Sequence, residues 1–183
     1  MIAAEIRILP EPPAADILYI MQNLRDLDWL ECSATSYSEN PEEWAARIIA
    51  AGPFQWGVYL NGTPVCSIGA TPRWPGNWNA WCLGTAEFSR VALSVTKHIR
   101  RFMIPAVTST ADFQRADAWA VGDYATAHKW LGRALGATHE AALANWGKNG
   151  ETFHTFVWLR EATKPTVRTA VADMRDDPHG LPV

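Results

Sequence analysis

Few side chains in this sequence have the type and spacing that catalysis or metal binding requires. The three cysteines form no CxxC pair, and the five histidines form no HxxxH pair: His98, His128, His139, His154 and His179. We therefore predict no metal site and no disulfide framework. His128 could act as a general base, and so could Glu87. Both also have a simpler interpretation, His128 as a packing or surface residue and Glu87 as an acid beside a helix N-terminus.

The composition indicates one compact domain. Of the 183 residues, 48% are hydrophobic and 19% are charged, which provides enough apolar material for a sizeable core. The formal net charge of -3 gives no overall attraction to nucleic acid, and we predict no sequence-specific nucleic-acid binding. The uncharged stretch from Gly52 to Pro72 is interrupted by prolines, so we predict no membrane span. The N-terminus lacks the apolar region of a secretory signal.

The first half of the chain predicts two helices and three strands. Alternation favours a strand over 2–9, and helical spacing favours a helix over 12–24, whereas 26–35 is ambiguous. Asn40 followed by Pro41 and two acids is typical of a helix start, and this second helix should extend to about Ala51. Asn61-Gly62 between two extended runs predicts a hairpin with a type I′ turn, its strands at 54–60 and 63–70.

The second half predicts a longer series of elements. A strand over 80–88 precedes the longest helix, over 89–107. The run from Arg115 ends at Gly122 and reads as a buried strand, and the helix after it ends at Gly136, a natural C-cap. Two further strands should be joined by a hairpin loop at 147–150.

This order, with a helix that ends in Leu-Gly-Ala before two long strands, resembles the GNAT (N-acetyltransferase-like) fold. The resemblance covers residues 2–160. It implies an α+β fold: a single domain over 1–160, with a mixed, mostly antiparallel sheet flanked by helices. Residues 161–183 contain three prolines and few large apolar residues, so we predict an extended C-terminal tail.

The residues that this family uses for its chemistry are not found here. Its pyrophosphate motif has an Arg or Gln, two residues, a Gly, one residue, and a Gly or Ala. Arg90 can take the first position, but Leu93 and Val95 occupy the glycine positions. Many members also place a general-acid tyrosine four residues before the Gly that corresponds to Gly136, and that position is Gly132. We therefore expect no cofactor, no catalytic residue and no enzyme activity. Tyr124, two turns earlier, should point elsewhere.

Within the fold, the pattern is similar to that of the small internal virion (core) proteins of T7-like podophages. The similarity lies in His128 eight residues before Gly136, in Leu-Gly-Ala, and in a Trp-bearing strand at Trp81. It implies a structural protein made in the host cytoplasm and packaged in the virion interior near the portal. Its partners would be the portal protein, other internal virion proteins and sister subunits in a ring, and it would take part in genome ejection. Two alternatives stay open: an active, divergent N-acyltransferase that uses acetyl-CoA, and a free phage regulatory protein.

Three surfaces are candidates for partner contacts. Trp74 and Trp78 should lie on an exposed loop over 72–79, where they either contact a partner or fold back onto the core. Lys97, Arg100 and Arg101 form a basic patch that either binds an acidic partner or is a solvated helix face. In the tail, one apolar face of a helix could dock on a neighbour through Val167, Val171 and Met174.

Overall fold

The computed structural model describes residues 4–160, which form a seven-stranded mixed sheet with strand order β1-β2-β3-β4-β5-β7-β6. Only β4 and β5 are parallel neighbours. The α+β class with a mostly antiparallel sheet is confirmed. The strands are β1 (Ile6–Pro10), β2 (Phe54–Leu60), β3 (Thr63–Trp74), β4 (Asn77–Gly84), β5 (Arg115–Val121), β6 (Thr138–Leu143) and β7 (Phe153–Leu159).

Helices cover both faces of the sheet. They are α1 (Ala14–Gln22), α2 (Asp26–Ala34), α3 (Pro41–Ala50), α4 (Ala92–His98), α5 (Ile104–Thr108) and α6 (Ala125–Lys129). A π-helical turn, Ile99–Met103, joins α4 and α5 into one continuous helix, and a second, Trp130–Ala134, extends α6. A 3₁₀ turn, Ala86–Arg90, connects β4 to α4.

Three apolar clusters hold these layers together. The largest lies between the sheet and α4, α5 and α6, and includes Val58, Ile68, Val95 and Phe156. The second packs α1 and α3 together, with Ile17, Ile20, Met21 and Trp44 at its centre. The third packs α2 on β5 and β7 through Ala34, Val121 and Phe153. None of the helices within residues 4–160 is long and apolar enough to cross a membrane.

Local sequence rules account for most turns and caps. Asn61 and Gly62 have φ values of 51° and 83°, as the type I′ hairpin between β2 and β3 requires. Gly136 has a φ of 73° and ends the α6 extension in the left-handed conformation that glycine adopts without steric penalty. At the start of α3, the Asn40 side chain accepts a hydrogen bond from Glu42 N at 2.9 Å. These three predictions are confirmed.

The expected loop over 72–79 is wrong. Both strands continue through it, so that β3 ends at Trp74, β4 begins at Asn77, and only Pro75 and Gly76 turn. The prolines hide the strand pattern, but the sheet accommodates them because the pairing shifts between Pro72 and Trp74. Trp78 is consequently 7% exposed and part of the core, not a surface residue, whereas Trp74 is 59% exposed.

The stretch 26–35, ambiguous in the sequence, contains helix α2, which has little hydrophobic periodicity because it presents polar side chains to the interior. The predicted tail, with Val167, Val171 and Met174, lies outside the described residues.

Candidate functional site

The central feature of the sheet is a cleft between β4 and β5. The two parallel strands pair only from Asn77 to Asn79 and from Arg115 to Asp117, and then diverge. The gap opens towards Gly84 and Val121 and forms a cavity of about 950 Å³. Backbone groups that a continuous sheet would pair are therefore left without strand partners at this end.

Two carboxylates of α2 bind the ends of the diverging strands. Asp28 Oδ2 accepts a hydrogen bond from Gly84 N at 2.7 Å, at the end of β4. Glu31 Oε1 accepts one from Val121 N at 2.9 Å, at the end of β5. Because Asp28 and Glu31 are three residues apart, they lie on one face of the helix. Helix α2 thus supplies a hydrogen-bond acceptor at the end of each diverging strand.

At the polar end of the cleft, two buried carboxyl groups have raised pKa values. Burial raises the pKa of Glu31 to about 8 from an ordinary value of 4.5, partly offset by its hydrogen bond from Val121. Burial also raises the pKa of Asp28, against the opposing effect of Arg25, whose Nε lies 2.9 Å from Asp28 Oδ2. Asp28 Oδ1 is buried and has no hydrogen-bond partner within the described part of the chain.

Tyr124 belongs to this polar end, which corrects the expectation that it points elsewhere. It lies just before α6 and lines the cavity together with Arg25 and Asp28. The Arg25 guanidinium is 5.6 Å from the centre of its ring and 4.1 Å from that of Phe88. Burial raises the pKa of the Tyr124 hydroxyl, so it is protonated at neutral pH. The direction of the Tyr124 side chain could not be inferred from helical spacing, because Tyr124 precedes the first turn of α6.

Leu93 and Val95, which we predict to take the glycine positions of the GNAT motif, lie in α4. Leu93 is 68% exposed on the first turn of this helix, and Val95 is fully buried in the core. Arg90 forms an ion pair with Glu87. The Glu87 backbone N–H donates to Thr85 Oγ1 in the 3₁₀ turn before α4, in keeping with the interpretation of Glu87 as an acid at a helix start.

A tryptophan links two helices beside the cleft. Trp130 Nε1 donates a hydrogen bond to Thr96 Oγ1 at 2.8 Å, and the indole packs edge-on against Phe88. Trp130 follows α6 and Thr96 lies in α4, so this contact joins the two helices, and all three residues line the cavity. Gly132 lies one half-turn further along, with no side chain to contribute.

The structure gathers three histidines that are scattered in the sequence. His139 Nε2 and His154 Nδ1 are 2.8 Å apart, and the ring centres of His128 and His154 are 4.5 Å apart. His128 Nε2 donates to Val121 O at 3.0 Å, consistent with the packing interpretation. Burial and the two neighbouring imidazoles lower the pKa of His154. Within residues 4–160, no set of three or more His, Cys, Asp or Glu side chains is arranged to hold a metal ion.

The remaining surface candidates are exposed. Lys97, Arg100 and Arg101 lie on the outer side of the α4–α5 helix, and none forms an ion pair with another described residue. Phe102 beside them is 57% exposed. Contact of this surface, or of Trp74, with a partner stays a prediction.

Solved structures of proteins designated acetyltransferases share this architecture. A protein of Acinetobacter baylyi designated an acetyltransferase shares 16% identity, with a TM-score of 0.66 over 86% of this chain and 94% of its own. The GNAT-family acetyltransferase of Bacillus anthracis shares 9%, with a TM-score of 0.59 over 85% and 94%. RimL, the ribosomal L7/L12 α-N-protein acetyltransferase solved with coenzyme A, shares 10%, with a TM-score of 0.55 over 88% and 97%.

The chain has the GNAT fold. No protein-family model and no curated protein sequence matches it. At identities this low, the similarity establishes the fold and carries no activity with it. The Asp28 and Glu31 contacts and the Trp130 hydrogen bond are features of this chain's own side chains.

Proposed function

We propose that this chain is a non-catalytic GNAT-fold protein of a bacteriophage particle, located in the internal core near the portal and involved in genome ejection. The proposed absence of catalysis rests on the residues at the start of α4. There, the residue at the first glycine position of the cofactor motif is Leu93, with an exposed side chain. The virion role is supported by the sequence resemblance to podophage internal proteins.

The residues at the α4 start do not fit the pyrophosphate of acetyl-CoA. Glycines at this place allow backbone N–H groups to approach the phosphates closely, because no Cβ intervenes. The side chain of Leu93 occupies that approach, and the Glu87 carboxylate, although paired with Arg90, places negative charge nearby. A dianionic ligand would meet a leucine and a carboxylate where it requires open backbone donors.

The Trp130 bridge adds a second obstacle. A cofactor that reached from the α4 start into the cleft would have to pass between α4 and α6, where Trp130 contacts Thr96 and Phe88. Displacing the indole would break its hydrogen bond and an aromatic contact, at a cost of about 1–3 kcal/mol. Gly132 also has no hydroxyl with which to protonate a departing thiolate.

A divergent N-acyltransferase is the second candidate, and the cleft itself favours it. The cavity of about 950 Å³ is large enough for a ligand, and Glu31 on its wall has a pKa raised to about 8, suited to proton transfer near neutral pH. This alternative requires that acetyl-CoA be held by backbone contacts other than those at Leu93.

Two experiments separate these functions. Mass spectrometry of purified particles should detect the chain at a fixed ratio to the portal protein, and its absence would contradict the virion role. Incubation of the purified protein with acetyl-CoA and a panel of primary amines should release no free thiol above the buffer rate. Thiol release that Glu31→Gln abolishes, while Glu43→Gln does not, would instead support the acyltransferase.

A further inference from the structure

Two of the three cysteines lie side by side on the sheet, although their sequence positions do not pair them. In the β3–β4 register, Cys66 is opposite Gly84 and Cys82 is opposite Ile68. Cys66 and Cys82 are therefore diagonal neighbours on one face of the sheet. Their sulfur atoms are 3.7 Å apart, and both are free thiols.

The two thiols differ in access. Cys66 has no exposed surface, and burial raises its pKa well above the ordinary value, so it stays protonated at neutral pH. Cys82 is only partly buried and lines the cleft. A small reagent that enters the cleft therefore reaches Cys82 first, with Cys66 directly behind it.

We propose that Cys66 and Cys82 are a redox-active dithiol, which closes to a disulfide when a peroxide-class oxidant enters the cleft. The Cys82 sulfur attacks one oxygen of hydrogen peroxide, the O–O bond breaks, and Cys82 becomes a sulfenic acid as one water leaves. The Cys66 sulfur then attacks the Cys82 sulfur. An S–S bond forms, the S–O bond breaks, and the departing hydroxide takes the Cys66 proton to leave as a second water. Two thiols are oxidised and one peroxide is reduced.

The geometry favours this pair over the third thiol. Closing a disulfide requires the sulfurs to approach from 3.7 Å to about 2.0 Å. Because diagonal neighbours on paired strands typically have Cα atoms about 7–8 Å apart, β3 and β4 must also move closer together at this point. Cys32 also lines the cleft, but it lies on α2 and not on the paired strands β3 and β4. The bond would tie β3 to β4 where β4 diverges from β5, and so would fix one wall of the cleft. This inference does not depend on the proposed function.

The test is the thiol state of the folded protein after brief treatment with hydrogen peroxide. Free thiols should fall from three to one, and the intact mass should fall by about 2 Da, the loss of two hydrogens. Digestion without reductant should release one peptide that joins Cys66 to Cys82, and reductant should restore all three thiols. In denaturant, where proximity is lost, this pair should no longer be preferred.

Single variants locate the steps. Cys32→Ser should form the disulfide as the wild type does. Cys66→Ala should stop at the sulfenic acid, which dimedone traps on Cys82, and Cys82→Ala should leave Cys66 unreactive. Three free thiols in the treated wild type, or a disulfide that contains Cys32, would overturn the proposal, and neither outcome depends on whether a variant folds.

Discussion

Replacing Glu31 with glutamine should stabilise the protein at neutral and alkaline pH. The Glu31 carboxyl accepts a hydrogen bond from Val121 N at 2.9 Å, and burial raises its pKa to about 8 from 4.5. In the folded protein it is therefore protonated at pH 7, whereas in the unfolded chain it is ionised. Folding takes up a proton, so the free energy of unfolding must fall as the pH rises between these two pKa values.

The size of the effect follows from the pKa difference. A change from 4.5 to about 8 corresponds to a loss of about 5 kcal/mol once the pH exceeds both values. Because Glu31 lines a cavity that water can enter, we expect about 2–4 kcal/mol. Glutamine keeps the acceptor oxygen for Val121 and cannot ionise. Glu31→Gln should therefore match the wild type near pH 4.5 and exceed its stability by this amount above about pH 8.

Urea unfolding followed by tryptophan fluorescence, repeated across this pH range, measures the difference directly. Other groups also titrate, but they are common to both proteins, so the comparison at each pH isolates Glu31. Glu43→Gln on the exposed side of α3 is the matched control and should show no such trend. A wild type that is more stable than Glu31→Gln at about pH 8 would mean that the carboxylate is ionised in the fold and that the buried-acid argument is incorrect.

Three further outcomes are expected, two from packing and one from the sequence of the predicted tail. Gly69→Ala should lower the free energy of unfolding, measured by urea titration, by about 2 kcal/mol or more, since its Cβ would lie 2.6 Å from Phe54 O. Gly132→Ala should be neutral or slightly stabilising in the same titration, because the atom nearest to its Cβ would be 3.9 Å away. Trp158→Ala should lower the free energy of unfolding by about 2–4 kcal/mol, because the indole packs on the core and donates a hydrogen bond to Leu135 O at 3.1 Å. The control, Leu159→Ala, should cost under about 1 kcal/mol because Leu159 is exposed. Equal losses would mean that the assignment of inward-facing and outward-facing residues in β7 is wrong. Deleting residues 163–183 should leave the melting temperature nearly unchanged and lower incorporation into particles, and packaging at the normal level would show that the tail is not a docking element.

Features encoded locally could be predicted from the sequence. The Asn61-Gly62 turn, the Asn40 cap and the Gly136 terminator each depend on one or two residues whose backbone preferences are strong. These signals mark where helices and strands begin and end, and the resulting order of elements was sufficient to indicate the GNAT fold. Trp78 was misplaced for the same reason: nearby prolines are strong local signals, and here a shift in strand pairing outweighed them.

The polar contacts of the cleft could not be predicted in this way. Asp28 binds a backbone group 56 residues away, and Glu31 binds one 90 residues away. In the sequence both are ordinary acids on a helix of weak periodicity. The weak hydrophobic periodicity of α2 was the one available signal, since a helix without a clear apolar face has to bury polar groups against partners. The histidine cluster likewise joins α6, β6 and β7, which no spacing rule relates.

Calorimetric titration of the purified protein with acetyl-CoA tests the central claim most directly. With Leu93 exposed at the α4 start and Trp130 bound to Thr96 of α4, we predict no saturable binding below the millimolar range, an affinity of only about 4 kcal/mol. Leu93→Gly with Val95→Gly, which removes both side chains from the motif, should gain weak anion binding and lose stability. Micromolar binding of acetyl-CoA by the wild type, with a stoichiometry of about one, would contradict the account and favour an active acyltransferase.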